Sequence, residues 1–436
     1  MSAHARHRAS GIVAALAMLA AVSSGAGAVA ATSAATSPVA ARHAEPPPVH
    51  HVFILMLENE GYPITFGPSS PAHYLNQLVS QGALLHNYYA TSHFSLGNYL
   101  TLISGQAPNP DTEADCPKFT DFVATGVTAD GQAVGRGCVY PASIMTVAAQ
   151  LDAAGLSWKG YMEDMGNNPA REASNCGHPR IGAVDGTQIA QVGDQYATRH
   201  NPFVYFHSVI DPPSCAQRVV NFRELAADLR AVASTPNYAF ITPNLCHDGH
   251  DGVNGRCVDG EVGGLVAADA FLKRVVAQIL ASPAYRQDGL LIITFDEADI
   301  DYHIDATSGA LTMVGGDMSA CCHEPPGPNL PAFDPARVRT GGGLGSAING
   351  PGLNGPGGGR IGALLLSPFI RAGTVSDVPY NHYALLRSVE DIFHLAHLGY
   401  AGQPGLKRFG ADIFAPRGAR PKPPGSAGSA RSAAAP

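Results

Sequence analysis

The chain of 436 residues holds a single tryptophan, Trp158, and only 14% of its residues are charged. Its net charge of −8 comes with no stripe of Lys and Arg. That excludes the usual footprint of a nucleic-acid partner, which is a basic face matched to the phosphate backbone. No serine sits in a Gly-x-Ser-x-Gly elbow, so a Ser-His-Asp hydrolase of that type is not indicated. No internal repeat is present, which removes solenoid and propeller architectures. Beyond the first thirty residues no apolar run is long enough to cross a bilayer, and stable membrane insertion is not expected.

What is present begins at the N-terminus. Arg6, His7 and Arg8 precede an apolar run at 11–22, and small residues follow with Ala28-Val29-Ala30 as a cleavage site. Residues 1–30 therefore read as a secretory signal peptide, with an uncleaved anchor as the other reading, and the expected location is secreted. Residues 31–48 are rich in Ala, Ser, Thr and Pro and read as a flexible spacer, and 416–436 as a disordered tail. Residues 49–415 are long enough to bury one large core and show no linker that divides them. The eight cysteines, an even number in an exported chain, favour disulfides. Cys116–Cys138 and Cys246–Cys257 are the simplest pairs, and a zinc site at Cys321-Cys322-His323 is the alternative use of that segment.

Runs of Val, Ile, Leu and Phe at 52–57, 158–162, 238–242, 290–295 and 361–367 read as buried strands. They are mostly unbroken rather than alternating, which is what a parallel sheet covered on both faces requires. Helical spacing occupies 143–154, ending at Gly155, then 262–280 and 383–395. The expected fold class is therefore α/β, with a mainly parallel central sheet and helices on both faces. Gly and Pro crowd 301–360, which reads as a long loop insertion bordering the active site.

Three of those strands run straight into polar residues: Glu58-Asn59, then Pro243-Asn244 with His247, Asp248 and His250, and Asp296-Glu297. Ligands of open parallel sheets bind beyond the carboxyl ends of the strands, so these groups converge on one edge. Each carboxylate alone is equally well explained as a helix cap; three such strand ends together point to a divalent metal ion. Ser95, in the segment His93-Phe94-Ser95-Leu96-Gly97-Asn98-Tyr99, opens a helix that stops at Ser104-Gly105. It is either an N-cap or, beside a metal and a phosphate seated on free helix N–H groups, a nucleophile.

These motifs, with Thr294-Phe295-Asp296-Glu297 and Tyr380-Asn381-His382-Tyr383, resemble the bacterial phosphoesterase family of secreted acid phosphatases and phospholipases C. That family shares the alkaline phosphatase core fold, and the resemblance runs in order from His51 to about Leu398. It implies that 49–415 is a phosphoesterase catalytic domain. It implies a metal held by Glu58, Asn59, Ser95, Asp296 and Glu297, and a transient phosphoserine at Ser95. His247 and His250 are then the catalytic partners, with His93, Asn244, Asp248 and His382 on the phosphate. The expected substrate is a phosphorylated small molecule or lipid. A phosphomonoesterase leads, since phospholipases of the family tend to extend further beyond the core. A phospholipase C, or a non-catalytic binding protein on the same scaffold, are the alternatives. Two departures stand out: Glu60-Gly61-Tyr62 replaces a Ser-Phe-Asp that often follows the first motif, and Phe94 and Gly97 stand where proline is common.

Overall fold

Every residue of His51–Leu57 (β1) is buried, whichever face of the sheet it points to. The computed structural model describes residues 46–250, 256–304, 311–330 and 356–415. Within them β1 joins a sheet of eight strands. The others are Ala83–Leu85 (β2), Trp158–Met162 (β3), Val219–Asn221 (β4), Tyr238–Thr242 (β5), Gly289–Phe295 (β6), Ala363–Leu366 (β7) and Thr374–Ser376 (β8). Their order is β8-β2-β7-β6-β1-β5-β3-β4. β1 pairs in parallel with β5 and β6, so Ile54 lies between Phe240 and Ile292. Only β7 runs against its neighbours. The central strands β1, β5 and β6 are buried throughout, so both faces of the sheet are covered there, which is why their sequences are apolar without alternation.

Four helices matter for the site: Ser95–Ser104 (α1), Val147–Ala153 (α2), Gly264–Ala281 (α3) and His382–Phe393 (α4). α1 is buried along its whole length and ends on Gly105 in the left-handed region, φ 67°. A Cβ there would lie 2.1 Å from the Leu398 carbonyl oxygen, so glycine is required for two reasons. α2 begins four residues later than its periodicity predicts, because the Thr146 side chain accepts from Ala149 N and caps it. α4 likewise starts after a cap, Asn381, and stops where His394 turns left-handed.

The segment expected as one irregular loop over 301–360 departs from that reading at its start. Ile300–Ile304 and Leu311–Gly316 pair as an antiparallel hairpin. Residues 331–355 lie outside the described residues, as do 1–45 and 416–436, where the signal peptide, most of the spacer and the tail were expected. Four disulfides form: Cys116–Cys138, Cys176–Cys215, Cys246–Cys257 and Cys321–Cys322. The first and third are the neighbouring pairs expected as the simplest pairing. The fourth removes the zinc reading of Cys321-Cys322-His323, because both sulfurs are spent on each other. Among the described residues no helix is long and apolar enough to cross a membrane.

Candidate active site

β1 and β6 are in register to their last residues, Leu57 opposite Phe295. The next residues, Glu58 and Asp296, therefore emerge side by side at one sheet edge, as the motif order requires. Ser95, the first residue of α1, donates from Oγ to Glu58 Oε2 at 2.8 Å. Tyr99, one turn on, donates its hydroxyl to Glu58 Oε1. The His200 ring stacks on Tyr99 with centroids 5.3 Å apart, and its Nε2 lies 3.3 Å from Glu58 Oε2. Burial holds the His200 imidazole well below its usual range, with Arg199 and His250 adding to the effect, so the ring is neutral. Burial raises the Glu58 carboxyl well above the carboxylate range, and the charges of Asp296 and Asp248 push it further.

The second half of the site is a clamp around Glu297. Its carboxylate accepts from Asn59 Nδ2 at 3.1 Å and from Phe94 N at 3.0 Å, and pairs with His93 Nδ1 at 2.5 Å. His93 Nε2 donates in turn to the Asp317 carbonyl oxygen at 3.1 Å, tying the segment after the hairpin to the serine loop. Asp296 Oδ1 accepts from Asn59 N at 3.0 Å. Burial, followed by the Glu297 charge, lifts the Asp296 carboxyl to about 8. Two oxygens in this group, Asn59 Oδ1 and Asp296 Oδ2, are buried with no hydrogen-bond partner. Unpaired buried acceptors beside crowded carboxylates are costly in a protein alone and fit a hard divalent cation.

The remaining expected residues are placed differently. His382 spends both ring nitrogens on protein, with Nε2 2.6 Å from the Asp296 carbonyl oxygen and Nδ1 3.0 Å from the Tyr88 hydroxyl. Burial brings its pKa down to about 4, and in this arrangement it is a neutral brace behind Asp296. His93 is committed in the same way, to Glu297 and Asp317. Asn244 closes a turn, accepting from Cys246 N and His247 N, and donates to Asp164 Oδ2 at 2.8 Å. His247 pairs with Glu163 at 2.9 Å and stacks on Phe271, with no hydrogen bond or ion pair to Ser95, Glu58 or Asp296. Burial pulls the His247 pKa down, but Glu163 outweighs it and the net shift is upward. Asp248 does join the centre: its carbonyl oxygen accepts from Glu58 N at 2.9 Å, and its Oδ2 lies 3.8 Å from His200 Nδ1. His250 is exposed beside it, near enough for its charge to act on His200.

The free N–H groups expected at the α1 N-terminus are partly spoken for. Phe94 N goes to Glu297, and Leu96 N donates to Asp115 Oδ1 at 3.0 Å. Asp115 and His200 escaped the sequence reading because both lie in segments without periodicity. Tyr99 carried a usable signal, its spacing of four from Ser95, which puts both hydroxyls on one helix face. Two other clusters of ligand-type residues, Cys246 with His247 and Glu261, and Cys246 with Cys257 and Asp259, fall away because the two cysteines form a disulfide.

Residues 69–396 match the profile of the Phosphoesterase family. The chain belongs to that family. Among curated relatives, it is 28% identical over 234 residues to a phosphate-repressible acid phosphatase of Penicillium chrysogenum, covering 54% of this chain and 45% of the relative. It is 25% identical over 350 residues to a probable acid phosphatase of Kluyveromyces lactis, covering 80% of this chain and 59% of the relative. A phosphatidylinositol-3-phosphatase of Mycobacterium tuberculosis is 25% identical over 257 residues, 58% of this chain and 65% of that protein. The chain thus spans about half the length of the first two relatives. Among solved structures, an alkaline phosphatase superfamily protein from Vibrio parahaemolyticus is 12% identical, with a TM-score of 0.46, over 83% of this chain and 70% of that one.

Within this chain the departures at 94 and 97 have a local cause. Phe94 adopts φ 71°, which proline cannot reach, and its N–H is needed by Glu297. A Cβ on Gly97 would lie 2.8 Å from Ser92 Oγ and 2.9 Å from Pro108 Cγ. The loop has its own backbone course and has fixed both residue choices to suit it.

Proposed function

We propose that this phosphoesterase is an exported hydrolase of phosphate monoesters that uses Ser95 as nucleophile. The observation that carries the reading is the hydroxyl of Ser95 held at 2.8 Å on Glu58, at the carboxyl edge of the sheet, beside Asp296. Glu58, Asn59, Ser95, Asp296 and Glu297 would hold a divalent cation, with the unpaired Asn59 Oδ1 and Asp296 Oδ2 as its nearest open acceptors. Such an ion offsets phosphate charge and favours the ionised serine.

The protein's own groups do the rest. Glu58 orients Ser95 Oγ for attack on phosphorus, and the hydroxyl proton leaves along that hydrogen bond. The bond from phosphorus to the ester oxygen breaks, the alcohol departs with a proton from the exposed His250, and the phosphoryl group rests on Ser95. Water then attacks phosphorus and gives its proton to His250, while Glu58 returns a proton to the Ser95 oxygen as the phosphorus–Oγ bond breaks and inorganic phosphate leaves. Tyr99 fixes the Glu58 carboxylate, with His200 stacked on the Tyr99 ring, while the Glu297 clamp fixes the loop that aims Ser95.

The acid phosphatases among the relatives, the family membership and the N-terminal sequence pattern support this reading. Its test is hydrolysis of p-nitrophenyl phosphate by wild type and Ser95→Ala, with and without chelator. Turnover lost in the variant and reduced by chelation is the expected result. A Ser95→Ala variant that keeps wild-type turnover overturns it.

A further inference from the structure

Between β3 and β4 the chain makes a long excursion that carries His200 into the site. Its outer stretch, 180–193, shows an unusual surface. Ile181, Val184, Ile189 and Val192 are 43%, 76%, 77% and 74% exposed. Asp185, the one acidic residue of the stretch, is buried, as is Asp194 just after it. Two exposed cations belong to this surface, Arg180 within the stretch and Lys118, which sits opposite Val184 in a backbone bridge. Neither cation makes an ion pair among the described residues.

This stretch is not loosely attached. Arg171 donates to the carbonyl oxygens of Asp194, Gly186 and Ile189. Asp185 accepts from Thr187 and Gln188 inside the loop. Gln188 Nε2 also donates to the Asp115 carbonyl oxygen at 2.8 Å, and the Asp115 side chain caps Leu96 N, next to Ser95. A buried polar frame thus fixes an apolar rim within a few bonds of the nucleophile.

We propose that 180–193, with Lys118, is a membrane-docking rim that seats the enzyme on an anionic lipid surface, so that phosphomonoester head groups reach Ser95. The part that concerns head-group turnover rests on the proposed phosphatase reading; docking itself does not. Aliphatic side chains flanked by cations match the boundary between acyl chains and anionic head groups. Four such side chains offer on the order of half the ~800 Å² per partner of a stable protein interface, so a lipid surface fits better than a second protein.

The test is cosedimentation of the full chain with phosphatidylcholine vesicles, with and without phosphatidylinositol 3-phosphate, for wild type and the variant I181S/V184S/I189S/V192S. The variant should bind the anionic vesicles at least tenfold less and lose a similar factor on vesicle-borne substrate, with unchanged kcat/KM on p-nitrophenyl phosphate. Lys118→Ala with Arg180→Ala should weaken binding to the anionic vesicles alone. Equal vesicle binding by wild type and the fourfold variant overturns the rim. So does self-association of the wild type that the variant abolishes, which would make the patch a contact between copies. As a check free of any folding defect, Ile189→Trp adds a second indole to a chain whose one tryptophan, Trp158, is buried. Its emission should shift to the blue on anionic vesicles, and an unshifted spectrum also overturns the rim. If no phosphate ester is turned over while vesicle binding persists, the phosphatase reading fails and the rim stands.

Discussion

Ser95 and Tyr99, one helical turn apart on α1, donate to opposite oxygens of the same carboxylate, Glu58. A helix places residues four apart on one face, so a single rigid element grips both sides of Glu58. Replacing Tyr99 with Phe keeps the ring that stacks on His200 but leaves a buried carboxylate oxygen unpaired. The expected cost is about 2 kcal/mol of stability. A misaimed Glu58 should also lower kcat by about tenfold to a hundredfold, with KM changing little. Urea melts and steady-state kinetics on one preparation measure both. Wild-type stability together with wild-type kcat would show that Glu58 is held by other means.

A second prediction concerns the unpaired oxygens of Asn59 and Asp296. If a divalent cation satisfies them, dialysis against chelator should lower the melting temperature, and returning the cation should restore it. Asp296→Asn should abolish most of that metal-dependent rise, because the amide lacks the charge. Elemental analysis of the undialysed protein identifies the ion. A melting curve indifferent to chelator in wild type would remove the metal from the site.

Much of this arrangement was legible in the sequence, and for a physical reason. A buried parallel strand must be apolar to its end, so the first polar residue after it marks the sheet edge; Glu58 and Asp296 were found in that way. The boundaries of α1 were equally plain, since Gly105 is the residue that a left-handed cap demands. The direction of β7 was not legible, because a run of Ala and Leu fits either sense. His200 was missed because a disulfide-braced excursion without repeat or period carries it, and its approach to Glu58 depends on long-range packing. For His93, Asn244 and His382, expected on the phosphate, the motifs did not disclose the protein groups that their side chains meet. A histidine or asparagine in a motif reads as a ligand until its ring or amide partners are seen to be protein groups.

The backbone at Phe94 supports a third prediction. Phe94→Pro would place there the residue that the family resemblance implies, yet here it removes the N–H that Glu297 accepts and forbids φ 71°. The variant should fold with native-like circular dichroism but lose about 3 kcal/mol. Ser95 would be misaimed, and turnover should fall by about a hundredfold. Phe94→Gly, which reaches the same backbone region freely, should retain both the N–H bond and most of the activity. Similar losses in the two variants would assign the effect to the missing ring instead.

Glu390 on α4 gives a prediction remote from the catalytic centre. Burial lifts its carboxyl to about 9, although Leu398 N donates to it at 2.9 Å. Its other oxygen, Oε2, has no partner. The folded-state value is raised above the ordinary 4.5, so the folded chain binds a proton that the unfolded chain has released. Stability attributable to Glu390 is therefore complete below about pH 4.5 and is lost as pH rises toward 9. Glu390→Gln mimics the protonated form and should not show that loss. Across this window the stability of the variant relative to wild type should climb by about 1.4 kcal/mol per pH unit. Denaturant midpoints at pH 5, 6, 7 and 8, for both proteins in one buffer series, measure the slope. A difference independent of pH would mean that Glu390 is ionised in the folded protein and that solvent or a neighbouring cation reaches it.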